Sequence, residues 1–305
     1  MRSARFSRLA AASLAAATCS LPTVMAETVN CTPVDTVPYT ITAPGVYCLT
    51  GDLTGFASNA AITIQADNVT LDLNGYTLEG AGGTPTGIGS QDRSNVTLRN
   101  GRIVGFGSGV FLRAAGPTYA GSGGHLIEGL ELRRTVVFGI VVMGRGNVIR
   151  GNRIVDTASA QGSGTAFGIW ALGPAARVSD NDVIGTRGAA KGIYLANAPG
   201  SVVEGNRVTD TINPNQGTAN AIEVLGSNAT QVNGNRIANT TGYANSTGVS
   251  ISSSAYVTVR DNVFNLLDFG IVFGVGAGTG KYMGNLASGV TSPYAGGIPA
   301  GATNY

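Results

Sequence analysis

An asparagine recurs through the second half of this chain at intervals of 23 to 29 residues. Each copy has an apolar or aromatic residue three positions before it and another apolar residue two positions after it. The positions are Asn152, Asn181, Asn206, Asn235, Asn262 and Asn285. A repeat of this length is the signature of a solenoid, in which successive coils of the chain stack on one another.

A second short apolar segment recurs between the asparagines and reads GVFLR, GIVVM, GIWAL, GIYLA, AIEVL, GVSIS and GIVFG. One coil cannot bury its apolar face alone, but stacked coils bury it against each other. We therefore predict about nine coils of three short strands each, with neighbouring coils about 4.8 Å apart. At each corner the Asn follows Gly or Asp, and we predict that this Asn adopts the left-handed conformation and joins a ladder of side-chain hydrogen bonds.

The segment DNVTLDLNGYTL, the GNRI corners and the GIYL strand resemble the right-handed parallel β-helix repeat proteins of the pectate-lyase-like superfamily. The resemblance covers about residues 60–285. It implies an all-β, single-stranded right-handed parallel β-helix. We expect an N-terminal cap at 27–60, the β-helix at 61–285 and a C-terminal tail at 286–305. The fold does not fix an activity, because one fold hosts many functions.

The first 26 residues have the pattern of a secretory signal peptide. Basic residues lead into a small apolar stretch, and cleavage is predicted after Ala26. A lipoprotein signal that ends at Cys19 is the competing interpretation. Export to the periplasm or the outside of the cell places Cys31 and Cys48 in an oxidising compartment, where we expect them to form a disulfide.

Charge and residue counts limit the classes of partner and ligand that the chain could bind. The chain has 19 basic and 17 acidic residues, without a basic stripe, so no nucleic-acid partner is expected. No apolar run after the signal reaches the roughly 20 residues that span a bilayer. With one histidine and no paired-cysteine motif, we predict no metal site and no cofactor. Calcium stays open in principle, although no acidic loop of the calcium-binding type is present.

Side chains alternate between the two faces of a strand. If Ile169, Ile193 and Ile222 point inward, the residues that follow them point outward. The predicted outward row is Thr63, Gly89, Phe111, Val141, Trp170, Tyr194, Glu223, Ser250 and Val272. Aligned aromatic rings beside a carboxylate suit a sugar chain. Two other interpretations stay open, in which the tail or a loop covers this strip, or a second copy of the chain packs on it.

Catalysis is a further hypothesis. Lys191, Tyr194 and Glu223 form the predicted catalytic set for β-elimination on an acidic polysaccharide, which needs a base and a cation. Phe111, Arg113, Arg145 and Trp170 are the predicted substrate-binding residues, and His125 is a further candidate base or a surface turn residue.

Glycoside hydrolysis is the alternative reaction, with Glu223 paired to Asp210 or Asp156. The polygalacturonase-type motifs are absent from the sequence. A non-catalytic surface, adhesion or structural module is the alternative of a different class. The sequence thus predicts an exported polysaccharide-binding β-helix and leaves catalysis open.

Overall fold

The computed structural model describes residues 28–55, 59–83, 85–116, 122–159, 164–277 and 279–301. This part of the chain consists of short strands and turns, and no helix occurs within it. The strands of the first half are β1 (Thr32–Val34), β2 (Tyr39–Ile41), β3 (Gly45–Leu49), β4 (Leu53–Thr54), β5 (Ala60–Ile64), β6 (Val69–Asp72), β7 (Thr77–Glu79), β8 (Thr86–Gln91), β9 (Val96–Val104), β10 (Ser108–Arg113), β11 (Leu126–Arg133), β12 (Phe138–Met143), β13 (Val148–Arg150), β14 (Arg153–Val155) and β15 (Thr165–Leu172). Those of the second half are β16 (Arg177–Ser179), β17 (Asp182–Ile184), β18 (Ala189–Ala196), β19 (Val202–Glu204), β20 (Arg207–Thr209), β21 (Ala219–Leu225), β22 (Gln231–Asn233), β23 (Arg236–Ala238), β24 (Ser246–Ser252), β25 (Thr258–Arg260), β26 (Val263–Asn265), β27 (Phe269–Phe273), β28 (Lys281–Met283), β29 (Leu286–Ser288), β30 (Ser292–Ala295) and β31 (Ile298–Pro299).

The strands form a right-handed parallel β-helix with two sheets. One sheet has eleven strands, in the order β2-β5-β8-β10-β12-β15-β18-β21-β24-β27-β30, so each coil adds one strand. The other sheet has twenty strands and bends around the far side of the coil. Neighbouring coils pair in parallel, as between β15 and β18. The predicted three strands per coil are seen in the later coils, where β16, β17 and β18 follow one another.

The apolar core runs the length of the solenoid between the two sheets. Ile169, Ile193, Ile222 and Val249 stack in register on successive strands, and each is 0% exposed. Their inward direction is the one predicted from the alternation. Burial of such a continuous aliphatic column stabilises the stack by about 25 cal/mol per Å² of apolar surface removed from water.

The glycine that precedes the buried isoleucine in these strands is required by close packing between coils. A Cβ added to Gly168 would lie 2.6 Å from the carbonyl oxygen of Gly192 in the next coil and 2.6 Å from Cγ1 of Val183. Neither neighbour can retreat without moving a strand. The glycine in GIWAL therefore lets β15 lie close to the next coil within the eleven-stranded sheet.

The predicted asparagine ladder is present and buried. The Nδ2 group of Asn181 donates to Oδ1 of Asn206 at 3.0 Å, and Nδ2 of Asn206 donates to Oδ1 of Asn235 at 3.0 Å. The backbone N–H of Asn206 donates to the same Oδ1 of Asn235 at 2.9 Å. These bonds satisfy polar groups that would otherwise be buried without partners.

The predicted left-handed conformation of these asparagines was wrong. It belongs to the residue directly before each Asn, such as Asp180 with φ 56° and Gly205 with φ 64°. The preceding residue makes the corner, and the Asn itself points its amide into the core. Glycine takes this backbone conformation without steric cost, and Asp tolerates it better than most residues.

The solenoid extends beyond the boundaries expected from the sequence. Strands β1–β4 lie within residues 27–60, and strands β29–β31 lie within residues 286–305. The eleven strands of one sheet therefore exceed the nine predicted coils, because both ends of the chain add a coil. Cys31 and Cys48 form the predicted disulfide, with 5.8 Å between their Cα atoms. The predicted signal peptide at 1–26 lies outside the described residues.

Candidate functional site

The predicted outward row exists on the eleven-stranded sheet. Phe111, Val141, Trp170, Tyr194 and Glu223 are register partners on β10, β12, β15, β18 and β21. Gly89 and Thr63 continue the row toward the N-terminal end. Val141 shares the register of this row but is 0% exposed, because neighbouring side chains cover it.

A second row of outward side chains, which sequence reasoning missed, adds two rings. Phe138 and Phe167 are register partners, three residues before Val141 and Trp170. The Phe167 ring lies 4.9 Å from the ring of Trp170 and 5.4 Å from that of Tyr194, centroid to centroid. Strict alternation back from the buried Ile140 and Ile169 would turn both rings inward, so the periodicity that predicted the first row did not predict the second.

The five rings of Phe111, Phe138, Phe167, Trp170 and Tyr194 form what we call the aromatic row. Phe111 is 5.9 Å from Phe138, and Phe138 is 5.4 Å from Phe167. Phe167 and Tyr194 are 8% and 9% exposed, whereas Phe111, Phe138 and Trp170 are half-buried. Nε1 of Trp170 is buried and donates to no acceptor among the described residues, so one hydrogen-bonding group in the row is unused.

The three predicted catalytic residues lie together at the C-terminal end of the aromatic row. Nζ of Lys191 is 2.7 Å from Oε2 of Glu223 and 4.9 Å from the ring centroid of Tyr194. Nδ2 of Asn220, the register partner of Lys191, donates to the same Oε2 at 2.6 Å. Lys191 therefore lies within β18 and not in the preceding loop.

The pKa of the Tyr194 phenol is raised, first by burial and second by the neighbouring Glu223 carboxylate. Both causes disfavour the phenolate, because burial penalises the charged form and a nearby negative charge repels it. Tyr194 is thus held as a neutral phenol, which can donate a proton or a hydrogen bond and does not serve as a base.

Of the two predicted arginines, one borders the aromatic row directly. Arg113 ends β10, two residues after Phe111, and is exposed. Arg145 is also exposed but lies in the turn after β12, where its backbone bridges to Gly123. The structure therefore places Arg113 on the sheet face and Arg145 at its border.

His125 is neither the surface turn residue nor the exposed base suggested by the sequence. It is 1% exposed, its Nδ1 accepts the backbone N–H of Val96 at 3.2 Å, and its Nε2 lies 3.1 Å from Oγ of Ser122. Its backbone N–H donates to Oδ1 of Asn147 in the next coil. Burial lowers the pKa of His125 to about 4, so the ring is neutral at neutral pH.

Each carboxylate considered for glycoside hydrolysis interacts with its own, different partner. Both carboxylate oxygens of Asp210 accept the hydroxyl of Thr240 at 3.0 Å, whereas Glu223 accepts from Lys191 and Asn220. Asp156 lies 3.8 Å from the guanidinium of Arg187. No contact joins Glu223 to either aspartate among the described interactions.

Potential soft-metal donors do not gather in the described part of the chain. His125 uses both ring nitrogens, and Cys31 and Cys48 are joined to each other. Met143 lies on the eleven-stranded sheet, whereas Met283 lies on the other. No group of three His, Cys, Asp or Glu residues is placed to hold an ion within the described residues.

A model of one protein family matches this chain. The family is described as "Periplasmic copper-binding protein (NosD)", and the matches cover residues 58–266 and 177–298. Curated protein sequences give no match. The described part of the chain contains no helix that is long and apolar enough to cross a membrane.

Several solved structures have the same fold. An alginate lyase from Paenibacillus sp. str. FPU-7 is 16% identical with a TM-score of 0.63, over 87% of this chain and 99% of the lyase chain. A DFA-IIIase from Arthrobacter chlorophenolicus A6 is 14% identical with a TM-score of 0.56, over 79% of this chain and 63% of that one. The Dettilon tailspike protein is 14% identical with a TM-score of 0.50, over 84% and 60% of the two chains.

At these identities the similarity establishes the β-helix fold and nothing about the chemistry. The chain spans less than two thirds of the length of the DFA-IIIase and the tailspike protein that it resembles.

Proposed function

This chain belongs to the NosD family of periplasmic proteins, and from that premise we propose that it binds a polysaccharide along its aromatic row. The observation that carries the proposal is the row itself, with five rings in mutual contact on four successive strands of one sheet. An aromatic face stacks on the C–H face of a pyranose, and flanking polar groups bind its hydroxyls. Lys191, Asn220 and Glu223 supply such polar groups at one end.

The shape of the surface favours a polymer over a small molecule. From Gln91 on β8 to Glu223 on β21 the face crosses five strand-to-strand steps, or about 24 Å at roughly 4.8 Å per step. Small ligands are usually bound in concave pockets that bury most of their surface. An elongated, open row of rings suits a chain that extends along the solenoid axis.

Copper, named in the family description, does not fit the donors in the described part of the chain. Copper sites in proteins are built from His, Cys and Met side chains. The single histidine is buried with both ring nitrogens engaged, and the two described cysteines form a disulfide. We therefore build no step of the proposed function on a metal.

β-Elimination on a uronate-containing polysaccharide is a second candidate function, favoured by the convergence of Lys191, Tyr194 and Glu223. The Lys191 ammonium would stabilise the negative charge that develops on the uronate carboxylate. The Glu223 carboxylate would take the proton from C5 through Oε1, which accepts no described hydrogen bond. The electrons of that bond would form the C4–C5 double bond as the C4–O bond breaks.

Tyr194 would then protonate the departing oxygen, because its raised pKa keeps the phenol protonated at neutral pH. A proton passes from Glu223 back to Tyr194, its register neighbour, to restore the starting state. The alternatives of glycoside hydrolysis and of a surface that packs on a partner protein have no comparable cluster in their support.

Trp170 offers a direct test of binding, because it is the only tryptophan in the chain. Titration of the protein with a panel of soluble polysaccharides should shift or quench its fluorescence with at least one of them. Phe138→Ala should weaken that affinity about fivefold, since one stacked ring contributes on the order of 1 kcal/mol. Tyr256→Ala is the matched control, because Tyr256 is 70% exposed and lies outside the row.

If no polysaccharide changes the fluorescence and none retains the protein on an insoluble matrix, the proposal is overturned. Retention without any fluorescence change, or an equal effect of the two variants, would place binding elsewhere on the molecule.

The elimination step is tested by the ultraviolet absorbance of the unsaturated uronate product. Glu223→Gln and Tyr194→Phe should abolish product formation while the Trp170 binding signal is retained. Product formation by the Glu223→Gln variant would contradict the role of Glu223 as the base that takes the C5 proton. A wild-type protein that binds but forms no product would discard the second candidate and leave the first in place.

A further inference from the structure

A cleft of about 830 Å³ lies on the eleven-stranded sheet at the N-terminal end of the aromatic row. Its floor is formed where Gly89 interrupts the outward row between Thr63 and Phe111. The absence of a side chain at Gly89 leaves space beside the first ring of the row. The cleft is therefore continuous with the proposed binding surface.

Two arginines line this cleft, and neither belongs to an ion pair among the described residues. They are Arg93 and Arg113, which share the cleft with Gln65, Gln91 and Asp92. Nε of Arg93 donates to the carbonyl oxygen of Gln91 at 3.0 Å, which fixes the guanidinium near the cleft wall.

Most arginines elsewhere in the described chain have a carboxylate partner. Nine arginines elsewhere in the described chain each lie within 4.0 Å of a carboxylate: Arg99, Arg102, Arg133, Arg134, Arg150, Arg153, Arg177, Arg187 and Arg207. Arg93 and Arg113 have no such carboxylate partner among the described residues, and both line the cleft beside Phe111, the first ring of the aromatic row.

The one carboxylate of the cleft does not neutralise them. Oδ1 of Asp92 accepts the backbone N–H of Ala115 at 2.5 Å, and Oδ2 accepts the side-chain amide of Gln91 at 3.3 Å. These bonds commit Asp92 to holding the turn between β8 and the chain that follows β10. With two guanidinium groups against one carboxylate, the cleft carries a net charge of about +1 at neutral pH.

We infer that this cleft is an anion subsite that binds the carboxylate of a uronate-containing polysaccharide whose neighbouring sugars lie on the aromatic row. The inference rests on the proposed function, and it adds the substrate class and the residues that select it. A guanidinium group forms paired hydrogen bonds with a planar carboxylate, and such charge-assisted bonds are stronger than neutral ones. Gln65 and Gln91 flank the two cations as further hydrogen-bonding groups for sugar hydroxyls.

The test compares polygalacturonate with its carboxyl-reduced form, which has the same backbone without the charge. Trp170 fluorescence reports both affinities. The wild-type protein should bind polygalacturonate at least tenfold more tightly, and added salt should weaken only that binding. Arg113→Gln and Arg93→Gln should each reduce the preference several-fold, because the affinity for polygalacturonate falls more than the affinity for the reduced polymer.

Arg236→Gln is the matched control. Arg236 is an exposed arginine of the opposite sheet without an ion pair among the described residues, so its replacement removes the same charge elsewhere. Equal affinity for both polymers, or no effect of the two cleft variants, would overturn the anion subsite while the binding face stands. A preference for sulfated dextran over polygalacturonate would also overturn the carboxylate assignment. Loss of all polysaccharide binding in the wild type is a different result, which overturns the proposed function.

Discussion

The two sheets of the solenoid present opposite kinds of outer surface. On the twenty-stranded sheet, charged side chains of successive coils pair with one another. Glu131 lies within reach of Arg102, Arg133 and Arg153, and Asp182 contacts Arg153 and Arg207. Most of these pairs join neighbouring coils, whereas Arg133 and Glu131 lie on the same strand, and the arginine side chains remain about half exposed to water.

The eleven-stranded sheet carries rings where the other carries ion pairs. Its strands contain one ion pair among the described residues, between Lys191 and Glu223, with side chains only 22% and 11% exposed. Beside the aromatic row, Arg93 and Arg113 have no partner carboxylate in the described chain.

The two surfaces therefore differ in how their side chains are partnered. The charged sheet pairs most of its charged side chains with one another. The aromatic sheet leaves ring faces, an indole N–H and two guanidinium groups without full partners. Contiguous apolar surface with unused polar groups is typical of a binding site. The same stacking of coils therefore produces a surface of paired charged side chains on one sheet and a candidate binding surface on the other.

The largest expected effect is a loss of stability at acid pH that is caused by the buried His125. His125 has a native pKa of about 4 against an ordinary 6.5. As the pH falls, the unfolded chain binds the proton first, so the contribution of His125 to stability is complete above pH 6.5 and is lost toward pH 4. We expect the free energy of unfolding to fall by about 3 kcal/mol over that interval, measured by denaturant unfolding at each pH.

His125→Asn is the variant that isolates this effect. Asn147 holds the equivalent position in the next coil and accepts the N–H of His125 through Oδ1, so an asparagine fits the site. The variant should flatten the decline of stability between pH 6.5 and 4. If the decline persists unchanged, the acid sensitivity comes from the outer ion pairs. Those exposed pairs would then contribute measurably to the free energy of unfolding.

A smaller effect is expected from the ion pair of the aromatic sheet. Lys191→Met leaves the Glu223 carboxylate with only Asn220 as a donor in a poorly exposed site, and we expect a loss of about 2 kcal/mol in unfolding free energy. Replacement of both partners, as Lys191→Met with Glu223→Leu, should recover part of that loss because no charge is then left unpaired. The measurement is the same denaturant series at neutral pH.

Equal losses in the single and the double variant would contradict this account. They would mean that the packing of the lysine chain, and not the pairing of charges, stabilises this end of the aromatic row.

Much of this architecture follows from the sequence alone. The outward row through Phe111, Trp170 and Glu223 was predicted because side chains alternate along strands and the GI segments fix the phase. The asparagine ladder and the disulfide followed from spacing and from the predicted export. These features depend on local periodicity, which a single sequence displays directly.

Other features depend on contacts between coils and were missed. Phe138 and Phe167 precede the glycine that turns inward, so their outward direction depends on a close approach to the next coil. His125 takes the place of an asparagine in the interior, which the irregular spacing around the insertion before it conceals. The left-handed residue was assigned one position too late, because Asn and its predecessor are both compatible with that conformation.

The smallest expected effect is on the charged sheet itself. Arg153 lies between Asp182 at 3.2 Å and Glu131 at 3.8 Å, but its side chain is 48% exposed. Exposed ion pairs contribute little, because water already solvates both charges and the side chains lose rotamer freedom. Arg153→Gln should therefore cost about 0.5 kcal/mol or less in unfolding free energy, and high salt should erase the difference.

Arg236→Gln, on the same sheet and without an ion pair among the described residues, measures the effect of removing a charge alone. A loss well above 1 kcal/mol for Arg153→Gln, absent from Arg236→Gln, would show that the ladder acts as a cooperative network. In that case the charged sheet would be a principal source of stability. The two sheets would then differ in how strongly their charges pair as well as in how many of them are paired.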